Sequence, residues 1–337
     1  MHNTKRYFLH HLRSVLPRLA VFTIIAVLIT VMTANGEHSK YAPDHSGSAY
    51  YVLTIIIGVL ATVLPMFEFS VFNNKRNLDT LFSLPIKRSS LSVVHIAVGF
   101  IQMFTVYTLS TVSLYVAHLD FASYYDFSYL IPYYFSILGL GTIVYFIFTF
   151  IFTRANSTLD GIVFCVFWMF NVYTVYSLLD NIFNFKTYIS SSLMIYTPMN
   201  NVTTYFQYLT EMEKRWVENA TLRDIYFNTS DHVIFASWGV AGLVSLVAML
   251  LTFGKKKVEC VGEISDSIFG YALNIPLYLV CLTGLFDDVT ATVWLTICAV
   301  IGYFIYRRGF KLKKADLISI IISFILLCVC NIIKAHI

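Results

Sequence analysis

The sequence predicts an all-α polytopic membrane protein, and three observations predict it. Apolar residues fill 58% of the 337 positions and charged residues only 12%, whereas soluble domains average about 25% charged residues. The apolar residues gather into runs near the length of about 20 residues that a helix needs to cross a bilayer. The lysines and arginines gather beside those runs. A soluble fold of this length would divide into domains with charged surfaces, which this composition cannot cover. Disorder needs the opposite balance, low hydrophobicity with high charge. The net charge of +4 sits in clusters that follow membrane topology, not in the basic patch of a nucleic-acid binder. No nucleic-acid partner is expected.

Nine runs are candidate spans: 19–34, 50–69, 91–117, 127–152, 159–179, 232–253, 268–286, 290–306 and 315–333. Asn274 and Pro276 interrupt the seventh, and proline kinks a span without forbidding it. With the N-terminus on the cytoplasmic side, 17 of the 23 lysines and arginines fall in cytoplasmic segments, as positive residues do. The chain is therefore expected in the plasma membrane, multi-pass, with its N-terminus cytoplasmic. Residues 31–36 lack a small-residue cleavage pattern, so the first run reads as an uncleaved span. Before it, Tyr7, Phe8, Leu12, Val15, Leu16 and Leu19 recur at helical spacing, which predicts an interfacial amphipathic helix over 1–18.

The longest loop, 180–231, is expected outside the cell. Its stretch 189–208 is rich in aromatic and aliphatic residues and is broken at Thr197-Pro198. It reads as a piece dipping into the outer leaflet, followed by a polar helix bearing Glu211, Glu213, Lys214, Arg215, Glu218, Arg223 and Asp224.

The six cysteines lie at 165, 260, 281, 298, 328 and 330, all but Cys260 within apolar runs. They form no Cys-x-x-Cys pair, so neither a disulfide framework nor a zinc site is expected. The nine histidines are scattered, with adjacent His10 and His11 on different helix faces, and they read as structural or interfacial. There is no phosphate-binding loop, no H-E-x-x-H and no G-x-S-x-G. The chain reads as non-catalytic and unable to hydrolyse ATP by itself. No ionisable group lies near the centre of a span, which argues against an ion-coupled carrier. Glu68, Asp160 and Asp180 fall at span ends, and Asn156, Ser157 and Thr158 are positioned to cap the fifth span.

The segment between the second and third spans carries the most information. It runs from Phe67 to Leu91 and contains Glu68, Lys75-Arg76, Leu81-Phe82-Ser83-Leu84-Pro85-Ile86 and Lys87-Arg88-Ser89-Ser90. Asn77 is placed to cap a short helix. Leu78, Leu81 and Phe82 share one face of it, and Pro85 stops it. Lys87 and Arg88 then anchor the next span. A short amphipathic helix between two spans suits docking into a groove on a partner, or packing on its own protein.

This segment resembles the coupling loop of permease subunits of bacterial type-2 ATP-binding-cassette (ABC) exporters, in which an acidic residue, a basic patch, "LPI" and further basic and small residues follow the second span. A junction after the sixth span, Lys255-Lys256-Lys257-Val258-Glu259-Cys260-Val261-Gly262-Glu263, is similar to a basic–Glu–x–x–Gly–Glu junction of a low-GC Gram-positive branch. Tyr306-Arg307-Arg308-Gly309-Phe310-Lys311 resembles its "Y-x-x-D-F-K", with Gly309 in place of the acidic residue. The resemblance implies a six-helix permease core over 19–258, a coupling helix over 77–86, and about three extra transmembrane helices over 259–337. It implies that Glu68, Lys75, Arg76, Leu78, Leu81, Phe82, Leu84, Pro85, Lys87 and Arg88 couple the chain to an ABC ATPase subunit. It assigns no cofactor to this chain, because ATP and magnesium would sit on that ATPase. It also implies a second permease copy or homologue and, with nearly uncharged aromatic spans, a hydrophobic or amphipathic cargo such as an exported peptide. The competing readings are a stand-alone secondary carrier or channel and, with less support, an intramembrane enzyme.

Overall fold

The computed structural model describes residues 2–38, 47–117, 129–183, 197–214, 229–254, 259–265, 267–285, 289–307 and 309–336. Among these residues the fold is made of helices joined by turns, with no strand. The helices are α1 (His2–His38), α2 (Gly47–Phe69), α3 (Lys75–Phe82), α4 (Arg88–Ala117), α5 (Leu130–Thr153), α6 (Thr158–Phe183), α7 (Thr197–Lys214), α8 (Thr229–Phe253), α9 (Leu273–Leu285), α10 (Val289–Arg307) and α11 (Lys314–His336). Among the described residues five stretches are long and apolar enough to cross a membrane: Asn3–Ala34, Tyr50–Asn73, Arg88–Ala117, Leu130–Thr153 and Phe235–Phe253. Shorter apolar stretches lie at Thr158–Asn171, Ile268–Leu279 and Val293–Arg307. Rows of exposed apolar side chains, such as Val21, Ile24 and Leu28 on α1 and Leu243, Val244 and Val247 on α8, would drive aggregation in water and are at home in lipid.

Two compact units make up the chain. The first comprises Met1–Phe69, Thr80–Phe150 and Tyr196–Lys256, the second Ser70–Asp79, Ile151–Ile195 and Lys257–Ile337. Within the second unit α6 packs on α9 and α11.

In the first unit α1 lies along α4 and α2. The expected interfacial helix over 1–18 is not a separate element: α1 is one helix of 37 residues that runs through Pro17. Proline removes a single backbone hydrogen bond, and packing on both sides of it keeps the helix whole. Val15 meets Val94 and Val98, with Tyr7, Phe8 and Leu12 alongside. At the far end of α2, Thr54 Oγ1 lies 2.7 Å from the Tyr133 hydroxyl, which donates to the Tyr50 carbonyl. Thr203 of α7 joins Thr54 in this knot. Thr197-Pro198 opens α7 rather than breaking it. Proline suits the first turn of a helix, where its missing N–H has no partner to lose, and Pro198, Met199, Val202 and Phe206 are buried. The remainder of the expected dip and of the polar segment falls at 184–196 and 215–228, outside the described residues.

In the second unit Ser157 Oγ accepts from the Asp160 amide at 3.1 Å, the cap expected for α6. A π-helical turn at Ile268–Ala272 precedes α9, with Gly270 out of helical conformation (φ −90°, ψ −144°). The backbone freed there is met by side chains. Trp168 Nε1 donates to the Phe269 carbonyl at 2.9 Å, Asn274 Nδ2 donates to the same oxygen at 3.1 Å, and Asn171 Nδ2 holds Asn274 Oδ1 at 2.6 Å. Broken helices in membranes need such partners. Asn274, which reads in sequence as an interruption, therefore serves the backbone. Ile275, Leu279, Ala299, Tyr303 and Tyr306 form the core of this unit. Arg307 clamps Asp316 through Nε at 2.9 Å and Nη2 at 2.7 Å, and Asp316 Oδ2 accepts the Lys313 amide at 3.0 Å, capping α11. Cys165, Cys260 and Cys298 are free thiols.

Gly262 sits at φ +86°, and its amide donates to the Asn156 carbonyl at 2.9 Å. The glycine of the Lys255–Glu263 junction is thus required by backbone conformation. We expect Gly262→Ala to lose about 1–2 kcal/mol, the cost of a left-handed non-glycine residue. A second test is steric. A Cβ on Gly99 would run into the Tyr145 hydroxyl, whereas one on Gly239 meets nothing within 4 Å. Gly99→Ala should cost about 1–3 kcal/mol, and Gly239→Ala should be neutral or stabilising, as a helical glycine gives up about 1 kcal/mol to alanine. Thermal melts of the detergent-purified chain rank all three.

Candidate functional site

The link from α2 to α4 is ordered by its own side chains. A 3-10 turn, Ser70–Asn73, follows α2, with Phe72 and Asn73 buried. Asn74 caps α3: its Oδ1 accepts the Arg76 amide at 3.1 Å and its carbonyl accepts the Leu78 amide at 2.9 Å. The cap expected at Asn77 therefore lies three residues earlier. The helix expected over 77–86 is Lys75–Phe82, since an asparagine just before the first turn satisfies the orphan amides. The chain leaves α3 through a Leu84-to-Leu81 turn and a Ser83 hydroxyl bond to the Thr80 carbonyl, and α4 begins at Arg88.

The expected coupling residues divide by environment. Lys75, Arg76, Pro85, Lys87 and Arg88 are exposed, Leu81, Phe82 and Leu84 are half-buried, and Leu78 is fully buried. The Arg88 guanidinium lies 4.2 Å from the centroid of the Phe82 ring, a cation–π contact that occupies one face of the ring. Leu78 is thus taken up within this chain, while Leu81, Phe82 and Leu84 keep part of their surface open beside exposed basic side chains.

Glu68 sits apart from the other nine, in the last turn of α2, with its side chain fully buried. Its Oε1 accepts from Arg18 Nη2 and, at 2.8 Å, from Gln102 Nε2. Its Oε2 lies 2.7 Å from His11 Nε2 and 3.2 Å from His95 Nδ1. Around this centre the Tyr7 hydroxyl lies 3.0 Å from His95 Nε2, and Arg18 Nε donates to Gln102 Oε1 at 3.1 Å. The rings of His11 and His95 lie 4.2 Å apart. Removing a bare carboxylate from water costs several kcal/mol. Arg18 offsets that cost with a charge-assisted hydrogen bond, and the hub thereby ties α1, α2 and α4 together.

Tyr7, His11, Arg18, His95 and Gln102 were not among the expected site residues. A sequence signal existed. Tyr7, His11 and Arg18 fall at steps of four and seven, and His95 and Gln102 at a step of seven, so each set lies on one helix face. His11 Nε2, Glu68 Oε2 and His95 Nδ1 lie within 4.8 Å of one another, a donor set that can hold a metal ion.

Two substitutions separate charge from simple hydrogen bonding in the hub. Glu68→Ala should destabilise the purified chain by about 3–5 kcal/mol, the cost of breaking a buried ion pair. Gln102→Ala, which leaves that pair in place, should cost about 1–3 kcal/mol; equal losses in a denaturant titration would mean that the ion pair carries no special weight. No protein-family model, curated protein or solved structure matches this chain.

Proposed function

We propose that the chain is the transmembrane subunit of an ATP-driven ABC transporter, an exporter whose ATP hydrolysis takes place on a separate subunit. The observation that supports this reading most is α3, a short capped helix suspended between two long apolar helices, with Lys75, Arg76 and Lys87 exposed around it. Such an element offers a partner a compact grip outside the bilayer. In this reading the basic ends of the helices face the cytoplasm, and the exposed cations of α3 meet acidic groups of the ATPase. Closure of two ATPases on ATP displaces α3. The hub at the end of α2 passes that displacement to α1 and α4 as one body, which switches the path between two states. The permease core comprises the helices up to α8, and α9 to α11 are additions. Two such subunits enclose the path, and a hydrophobic or amphipathic peptide is the cargo class that suits spans with so little charge.

Docking is tested on the exposed basic residues around α3. Lys75→Glu combined with Lys87→Glu reverses two exposed charges. If the reading is right, an ATPase encoded beside this chain co-purifies with the wild type. The double variant should then bind it at least about tenfold more weakly, near 1.4 kcal/mol, with an unchanged melting temperature. Should no ATPase co-purify with the wild type, the transporter-subunit reading fails and a stand-alone carrier or channel takes its place.

A further inference from the structure

We propose that His11, Glu68 and His95 form a binding site for a divalent transition-metal ion, zinc by its donor chemistry, which fastens α1, α2 and α4 together. The inference stands on geometry and is independent of the transporter reading.

Three potential ligand atoms from three helices already converge. His11 Nε2 and His95 Nδ1 both face the same carboxylate oxygen, Glu68 Oε2, at 2.7 Å and 3.2 Å. All three lie within 4.8 Å of one another. Ligands about 2.0–2.1 Å from a tetrahedral zinc ion stand somewhat over 3 Å apart, so the ion enters by small side-chain adjustments. Two imidazoles and one carboxylate are a set that zinc accepts while leaving a fourth position open. Imidazole also favours zinc, copper or nickel over magnesium or calcium, which take oxygen ligands.

The outer contacts make this more than a coincidence of three side chains. Metal ligands are held in place by hydrogen bonds to their remaining atoms. The other oxygen of Glu68 is fixed by Arg18 and Gln102, which leaves Oε2 directed at the two rings. The other nitrogen of His95 is fixed by the Tyr7 hydroxyl at 3.0 Å. A hydroxyl can donate or accept, so Tyr7 serves either tautomer. With the site empty, Nδ1–H of His95 points to Glu68 and Nε2 accepts from Tyr7. With metal bound, Nδ1 offers its lone pair and Nε2–H donates to Tyr7. The ring proton changes nitrogen and none need be lost. Access comes from the His11 side, whose side chain is 16% exposed while those of Glu68 and His95 are 0% and 1% exposed. Water or a small anion fills the fourth position there, and an anion offsets the positive charge that Arg18 keeps nearby.

The test uses the full chain, purified in detergent, stripped with chelator and titrated with zinc and, as a spectroscopic probe, with cobalt(II). One zinc ion per chain should bind, and cobalt should give the visible bands of a low-coordinate site that zinc then bleaches. His11→Ala should weaken zinc binding at least about tenfold, the lower end of what even an outer-contact loss costs a metal site. Glu68→Gln should abolish the cobalt bands. His10→Ala, one position along on an exposed part of the helix, should leave affinity unchanged. If Glu68→Gln does not fold, as judged by melting and gel filtration, His11→Ala alone decides. The proposal is overturned by the absence of stoichiometric zinc binding to the wild type. Equal affinity in wild type and His11→Ala overturns it too, and so does equal weakening by His10→Ala and His11→Ala, which would indicate loose binding by the histidine-bearing terminus.

Discussion

A carboxylate withdrawn from water at the end of an apolar helix sets the terms for the first unit. Glu68 is buried against α1 and α4, and its charge must be met there by groups that the same helices supply. Arg18 meets it with opposite charge, Gln102 with a neutral donor, and His11 and His95 with ring nitrogens. Each partner comes from α1 or α4, so meeting the charge fixes how three helices lie against one another. The valine contacts between α1 and α4 follow the same line and fill the space beside the polar centre.

The second unit solves a related problem with neutral groups. Its break at Gly270 releases backbone carbonyls where solvent is scarce, and the answer is an amide–amide pair, Asn171 with Asn274, together with an indole N–H. One buried carboxylate also takes part: Asp160 Oδ1 accepts the Tyr271 hydroxyl of the same turn at 2.7 Å. The one strong ion pair of this unit among the described residues, Arg307 with Asp316, lies at the α10–α11 turn, where it doubles as a helix cap.

Much of this architecture was legible in composition and periodicity. Apolar runs predict helices well because a membrane-spanning segment has a length and a composition that few other structures share. The short helix before Pro85 was legible as well, since one face of Leu78, Leu81 and Phe82 is a local pattern. What stayed hidden is tertiary. His11 lies 57 residues from Glu68, and His95 lies 27 residues from it, separations at which no periodicity operates. The continuity of α1 was hidden because its first 18 residues read as amphipathic and basic while the run after them reads as apolar, and only packing along both shows one helix. The asparagine cap was misplaced by three residues because Asn73, Asn74 and Asn77 are chemically alike, and only the folded chain shows that Asn74 accepts the Arg76 and Leu78 amides.

The continuity of α1 has a mechanical meaning. At 1.5 Å per residue its 37 residues extend for about 56 Å, nearly twice the hydrocarbon thickness of about 30 Å. Tyr7, His11 and Arg18 occupy one part of this rod, while Ala26, Thr30 and Ala34 form its buried row farther along. A rigid rod has one rotational phase. Turning α1 about its axis to present a new apolar row to lipid would swing Arg18 and His11 away from Glu68. The polar centre near one end therefore sets which side of the helix meets lipid at the other.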